Sequence, residues 1–265
     1  MLSHGIRRAV IVSGALSFTG VVSFCAEGTA KPKLPIGSYI DHTVLKQTSL
    51  ASDIVKVCNE AKEFNFAAVC VPPNFVKLAK EETKGSSVKV ATVIGFPFGY
   101  SCTAAKKAEI VQALKDGADE LDIVANVSAI KNGYWDQVRA EIKELMPCKK
   151  CWPTQKVKVI IESGTLTDEE IIQCCQIYGA AGIDFLKTST GYAEGGKGAS
   201  IHAVTLFRQN LPDNVEIKAS GGIRDYQAAA AMVAAGATRI GCSAGVNIVK
   251  GASDSTPASG SSSGY

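Results

Sequence analysis

Short runs rich in Val, Ile and Ala alternate with longer amphipathic patterns along most of the chain, and the alternation repeats eight times. YIDHT (Tyr39–Thr43) precedes SDIVKVCNEAKEF, where Ile54, Val55, Cys58 and Ala61 fall on one helical face. FAAVCV (Phe66–Val71) precedes PNFVKLAKEE, VKVATVIGF (Val88–Phe96) precedes TAAKKAEIVQALKDG, and ELDIV (Glu120–Val124) precedes YWDQVRAEIKELM. The second half continues with VKVIIES (Val157–Ser163) before TDEEIIQCCQIYGAAG, IDFLK before SIHAVTLFRQN, VEIKAS before DYQAAAAMVAAG, and TRIGC before a short final helix near Ala244 to Lys250. One helix start is marked in detail: Thr167 caps, Glu170 completes a capping box, and Leu166 with Ile171 forms a hydrophobic staple.

Strands that alternate with helices pair in parallel through right-handed crossovers. Strands covered on both faces read as nearly continuous apolar runs, as several of these do. An open doubly wound sheet would carry a GxGxxG fingerprint after its first strand, and none is present. Eight units spaced by roughly 20 to 35 residues predict an α/β fold, a closed TIM (β/α)8 barrel.

The ends differ from this body. Arg7 and Arg8 precede an almost uncharged stretch, Ala9 to Ala26, with Ser23 and Cys25 at a passable cleavage site. Residues 1–35 therefore read as an N-terminal extension, either a targeting or anchor segment or an added arm on a cytosolic enzyme. Residues 36–251 form the barrel domain, and 252–265, ASDSTPASGSSSGY, read as a low-complexity disordered tail.

The chain has 9 Cys, including the adjacent Cys174 and Cys175 in a helical pattern, which is no disulfide framework and argues against an oxidising compartment. A cytoplasmic location follows, with targeting through the apolar N-terminal segment to a secretory or organellar compartment as the alternative. Cys148 and Cys151 form a CxxC in PCKKCWPTQ without a second pair or a nearby His, so no metal is expected. A formal charge of +3 over 265 residues, with no basic cluster interleaved with aromatics, excludes a nucleic-acid surface. Stable membrane association of the barrel is not expected either.

In such a barrel the C-terminal ends of all strands face one mouth, so residues distant in sequence become neighbours. The strand ends supply Asp41, Cys70, Asp122, Lys158 (early in its strand), Lys187 and Lys218. Lys187, in DFLKTSTGY, follows buried strand residues, and desolvation disfavours its ammonium form. The plain alternative for a single strand-end lysine is that it snorkels to solvent. Lys218 on the next strand changes the balance, since a like charge lowers the pKa of one amine and makes it a neutral nucleophile. Asp122 alternates inward with Glu120 and Val124 and needs a partner there, whereas Asp119 faces outward. It either keeps Lys218 protonated while passing protons through a water, or is an ion pair holding the core.

Gly221 and Gly222 follow Lys218, and Gly241 and Ser243 follow the eighth strand just before the final helix. Loops after strands seven and eight with a helix N-terminus suit a phosphate, because glycine exposes backbone N–H groups and the helix dipole favours an anion; tight turns alone are the alternative. A small sugar phosphate is the expected partner. The stretch from Gly191, GYAEGGKG, reads as a lid, with Thr188 to Gly191 forming its hinge and the pocket wall.

These motifs together resemble the deoxyribose-phosphate aldolase family over about Ile40 to Gly251. They are YIDHTVLK (Tyr39–Lys46), AVCVPPNFV (Ala68–Val76), GADELDIVANV (Gly117–Val127), VKVIIESG (Val157–Gly164), DFLKTSTG (Asp184–Gly191) and EIKASGGIR (Glu216–Arg224). The resemblance implies a class I aldolase that reversibly cleaves 2-deoxy-D-ribose 5-phosphate into acetaldehyde and D-glyceraldehyde 3-phosphate in deoxyribonucleotide breakdown. It implies Lys187 as the Schiff-base lysine, Lys218 as the lysine that depresses its pKa, and Asp122 as the proton relay. Asp41, Cys70, Lys158, Thr188 and Gly191 join the substrate site, and Gly221, Gly222, Gly241 and Ser243 match the phosphate loops. No cofactor or metal is implied, because the protonated imine is itself the electron sink, and a homodimer is the expected assembly.

The chain departs from the family where Gly241-Cys242-Ser243-Ala244 lacks one hydroxyl, worth about 1 kcal/mol of phosphate contact. Lys197 and Gly198 also intervene in the stretch Gly195 to Ser200. A barrel that binds a sugar phosphate or a protein partner without turnover is the other reading, and the intact Lys187, Lys218 and Asp122 set argues against it.

Overall fold

A computed structural model describes residues 32–146, 151, 153–196 and 198–254. The N-terminal segment through residue 31, Cys148 with most of the CKKC stretch, Lys197 and the tail from residue 255 lie outside the described residues.

Eight parallel strands close into one barrel in sequence order, as expected from the alternation. They are β1 (Ile40–Thr43), β2 (Ala68–Val71), β3 (Lys89–Ile94), β4 (Glu120–Val124), β5 (Lys156–Ile160), β6 (Phe185–Lys187), β7 (Glu216–Ser220) and β8 (Arg239–Cys242). Closure comes from β1 against β8, where Asp41 pairs with Gly241. The main outer helices are α1 (Ala51–Glu63), α2 (Val76–Glu82), α3 (Thr103–Lys115), α4 (Val127–Lys131), α5 (Trp135–Leu145), α6 (Asp168–Ala180), α7 (Ile201–Asn210), α8 (Tyr226–Ala234) and α9 (Gly245–Asp254). Among the described residues no helix is long and apolar enough to cross a membrane.

Local chemistry accounts for the helix starts. Thr167 accepts from the Glu170 N–H while the Glu170 carboxylate takes the Thr167 N–H, the reciprocal box read from the sequence. Ser200 and Asp225 cap α7 and α8 with side-chain oxygens that accept the Ala203 and Ala228 N–H groups. On α1 the buried face holds Ile54, Val57, Cys58 and Ala61, so Val57 takes the place of the expected Val55, which is only half-buried. The final helix continues to Asp254, four residues past the expected Lys250, so residues 252–254 belong to α9 and not to the tail.

The strands separate two cores. Outward residues such as Leu121, Ile123, Val157, Val159, Leu186 and Ile217 pack beneath the helices in one continuous apolar cluster. The inward positions are different: a small apolar group of Cys70, Ala91 and Val93 lies on one side, and charged side chains fill most of the remainder. Barrel interiors are commonly packed with branched apolar layers, so this filling is the feature that positions chemistry.

Candidate active site

Parallel register stacks the inward residues. Asp122 on β4 is opposite Lys158 on β5, and Lys187 on β6 is opposite Lys218 on β7. Lys187 Nζ and Lys218 Nζ each lie 2.7 Å from the same oxygen, Asp122 Oδ2. Lys158 Nζ lies 2.7 Å from the other oxygen, Oδ1. Beneath this layer Lys218 also reaches Asp41 Oδ2 at 2.5 Å, Arg239 bonds Asp41 Oδ1 at 2.6 Å, and Lys158 bonds Glu120 Oε2 at 2.5 Å. Arg239 closes the network onto Glu120 at 2.9 Å and stacks over the Phe185 ring, which plugs the lower end.

Three carboxylates, Asp41, Glu120 and Asp122, thus face four basic groups, Lys158, Lys187, Lys218 and Arg239. An uncompensated charge in a buried site is expensive, so the cluster is most stable when one base is neutral. Lys187 is the base least held in its charged form. It touches a single carboxylate, whereas Lys218 and Arg239 each touch two, and Lys158 lies within ion-pair distance of all three. Burial lowers the Lys187 pKa and the Lys218 cation adds to it, outweighing the pull of Asp122. For Lys218, burial alone would lower the pKa, but Asp122 and Asp41 override it and hold the amine protonated. Desolvation likewise opposes ionised Asp122, yet the three lysines keep its carboxyl well below the usual range.

Asp41, Asp122, Lys158 and Lys218 correct one expectation: they occupy mid-strand positions inside the barrel, and among the expected strand-end groups Lys187 is the lysine that ends its strand. The tilt and stagger of barrel strands put a mid-strand residue of one at the level of another's end. Cys70 is fully buried beside this layer, and burial raises its thiol pKa.

Above the lysines opens a cavity of about 480 Å³ whose wall includes Lys187, Gly191, Gly221, Gly222, Gly241 and Ser243. Gly221 and Gly222 have φ of 90° and 82°, backbone that glycine adopts without strain. The α9 N-terminus at Gly245 lies two residues after Ser243. Gly241 has a further role, since a Cβ there would stand 2.9 Å from Lys218 Cε, so its missing side chain makes room for the second lysine.

Thr188 does not reach the cavity. It is buried, and its hydroxyl donates to the Ser220 carbonyl at 3.2 Å and accepts the Ser220 N–H at 3.0 Å, tying the β6 and β7 loops together. Thr190 lines the cavity instead, held by Glu162, whose carboxylate accepts from its hydroxyl and its N–H. Glu162 is a non-glycine residue in left-handed backbone (φ 55°, ψ 52°), a conformation costing about 1 kcal/mol or more. Sequence reasoning missed Glu162, Arg239 and the cavity-wall cation Arg224, whereas Thr190 falls within the expected pocket wall, Thr188 to Gly191. Alternation with Gly241 on β8 was the available signal for Arg239, while nothing local marks Glu162.

The sequence pattern of the DeoC/LacD aldolases matches residues 37–251, the whole barrel. The chain belongs to the DeoC/LacD aldolase family. A deoxyribose-phosphate aldolase of Carboxydothermus hydrogenoformans is 49% identical over 217 residues, covering 82% of this chain and 94% of that protein. Among solved structures, an aldolase designated QR15 is 41% identical with a TM-score of 0.75, covering 81% of this chain and 94% of its own. A deoxyribose phosphate aldolase from Aeropyrum pernix, described as tetrameric, is 30% identical with a TM-score of 0.73, covering 81% and 89%. Family membership agrees with a barrel whose interior carries a depressed lysine, and the DeoC/LacD core accounts for the strands bearing every charged residue of the cluster.

Proposed function

We propose that Lys187 is the imine-forming amine of a deoxyribose-phosphate aldolase. The observation that carries this reading is the unequal sharing of Asp122 Oδ2: two lysines lie at 2.7 Å, one of them held cationic by a second carboxylate and the other not. The neutral Lys187 amine adds to C1 of open-chain 2-deoxy-D-ribose 5-phosphate, and loss of water gives a protonated imine. The C3 hydroxyl gives up its proton, the C2–C3 bond breaks, and its electron pair moves into the imine to form an enamine. D-Glyceraldehyde 3-phosphate departs; protonation at C2 and hydrolysis then release acetaldehyde and restore the amine.

Asp122 relays protons through a water in this scheme. Its depressed pKa makes it a group that passes a proton on and does not store it, while the Lys218 ammonium stays charged beside it as protons move. The Gly221–Gly222 turn, Gly241, Ser243 and the α9 N-terminus take the phosphate, with Gly191 on the facing wall. The absence of disulfides among the described residues supports a reducing, cytoplasmic setting. A homodimer paired through outer helices is the proposed assembly, and sedimentation velocity tests it. The function itself is tested by the release of acetaldehyde from 2-deoxy-D-ribose 5-phosphate, which an inactive sugar-phosphate binder does not produce.

A further inference from the structure

A second cavity opens beside the first. It measures about 560 Å³, and its walls include Leu45, Pro73, Phe96, Phe98 and Tyr100, with the inward residue Val93 among them. Val93 is paired in register with Asp122, so this cleft descends to the level of the reacting lysines. Its rim is unusually apolar for a surface: Phe98 and Tyr100 are 56% and 69% exposed and stack on each other nearly parallel. Exposed apolar area collected around a cleft marks a place where an apolar group binds.

Leu45 belongs to the walls of both cavities, and Tyr192 stands over it. The Tyr192 hydroxyl donates to the Leu45 carbonyl at 2.8 Å, and its ring meets Phe96 edge-on at 5.3 Å. Behind Tyr192, its N–H donates to Thr190 Oγ1 at 3.0 Å, and Thr190 is clamped by the Glu162 carboxylate. A strap therefore crosses the mouth from the end of β5 to the loop after β1, dividing a polar chamber with glycine turns from an apolar one.

We propose that Tyr192 is a specificity-determining residue, a partition that confines acceptor aldehydes to the phosphate chamber and closes the Phe98–Tyr100 cleft to apolar acceptors. The proposal rests on the aldolase reading above. In the synthetic direction the enamine carbon of Lys187-bound acetaldehyde bonds to the acceptor carbonyl carbon, whose oxygen takes a proton. Water then hydrolyses the imine to release a 3-hydroxyaldehyde. With the partition removed, an acceptor bearing an aryl tail in place of a phosphate places that tail past Leu45, against Phe96 and Phe98.

The test compares kcat/KM for D-glyceraldehyde 3-phosphate and for 3-phenylpropanal as acceptors, with acetaldehyde as donor, in the wild type, Tyr192→Phe and Tyr192→Ala. The expected result is a rise of about tenfold in the apolar-to-phosphorylated ratio for Tyr192→Ala, the scale of a reshaped apolar contact, and a smaller rise for Tyr192→Phe. Leu45→Ala, which thins the wall from its other side, shifts the ratio in the same direction and stands in if Tyr192→Ala does not fold. An unchanged ratio, or one moved toward the phosphorylated acceptor, in variants that remain active overturns the partition and leaves the aldolase reading intact. A wild type that turns over neither acceptor overturns both.

Discussion

Lys187 and Lys218 stand side by side on β6 and β7 and meet at one oxygen atom, Asp122 Oδ2, each at 2.7 Å. What separates their chemistry is Asp41, which contacts Lys218 and not Lys187. In the proposed mechanism this one carboxylate from β1, two strands from β7 around the barrel, decides which of two neighbouring amines is the nucleophile.

Lys218→Met removes one cation from a cluster with one base in excess, so Lys187 becomes the third cation facing three carboxylates and holds its proton. Each unit regained in the Lys187 pKa lowers the neutral fraction tenfold. A kcat/KM profile from pH 6 to 10 is expected to lose about 100-fold at neutrality and to have its rising limb displaced to higher pH. A loss without displacement contradicts the role given to Lys218.

Asp122→Asn keeps the shape and removes the charge that three lysines share. Breaking buried pairs from one side costs about 3–5 kcal/mol, so the urea midpoint falls along with the activity. Substitution of Asp119 is the control, because that carboxylate pairs with Lys80 outside the barrel and leaves turnover near wild type.

Gly241→Ala introduces a Cβ 2.9 Å from both Lys218 Cε and Ser220 Cβ. The Lys218 side chain must shift, which loosens its hold on Asp122. Turnover is expected to fall about tenfold or more, the size of effect that a misplaced catalytic group produces. If steady-state kinetics show a change confined to KM, Gly241 serves the phosphate alone.

Acid stability follows from the carboxylates. Asp41 and Asp122 have native pKa values below their unfolded ones: burial opposes this, but the surrounding cations dominate. Their contribution is fully present above the unfolded value of about 4 and drains away as pH falls through the native values. Urea melts between pH 6 and 2.5 are expected to show stability declining steeply only below about pH 4, and Asp41→Asn flattens that decline. Lys187 acts in the opposite range: its lowered native pKa makes stability rise as pH increases from that value toward an ordinary lysine pKa.

The barrel was legible because its strands and helices repeat with distinct periods, and the capping box at Thr167 and Glu170 marks a boundary by chemistry alone. The lysines were legible as pairs on adjacent strands. Their depth was not, since stagger between tilted strands is set by closure, which no single strand encodes. Thr188 illustrates the same limit: its position beside Lys187 suggested the pocket, whereas its hydroxyl engages the Ser220 backbone and Thr190 faces the cavity. Glu162 escaped notice because its importance lies in a left-handed backbone and a contact with residue 190, neither of which has a local signature.

The most direct measurement is reductive trapping. Incubation with acetaldehyde and sodium borohydride, followed by peptide mass spectrometry, is expected to place an N-ethyl group on Lys187, at a rate that rises with pH and has its midpoint below that of an ordinary lysine. A mark on Lys218 or Lys158, or an unmarked protein that still cleaves its substrate, contradicts the assignment of Lys187 as the imine-forming amine.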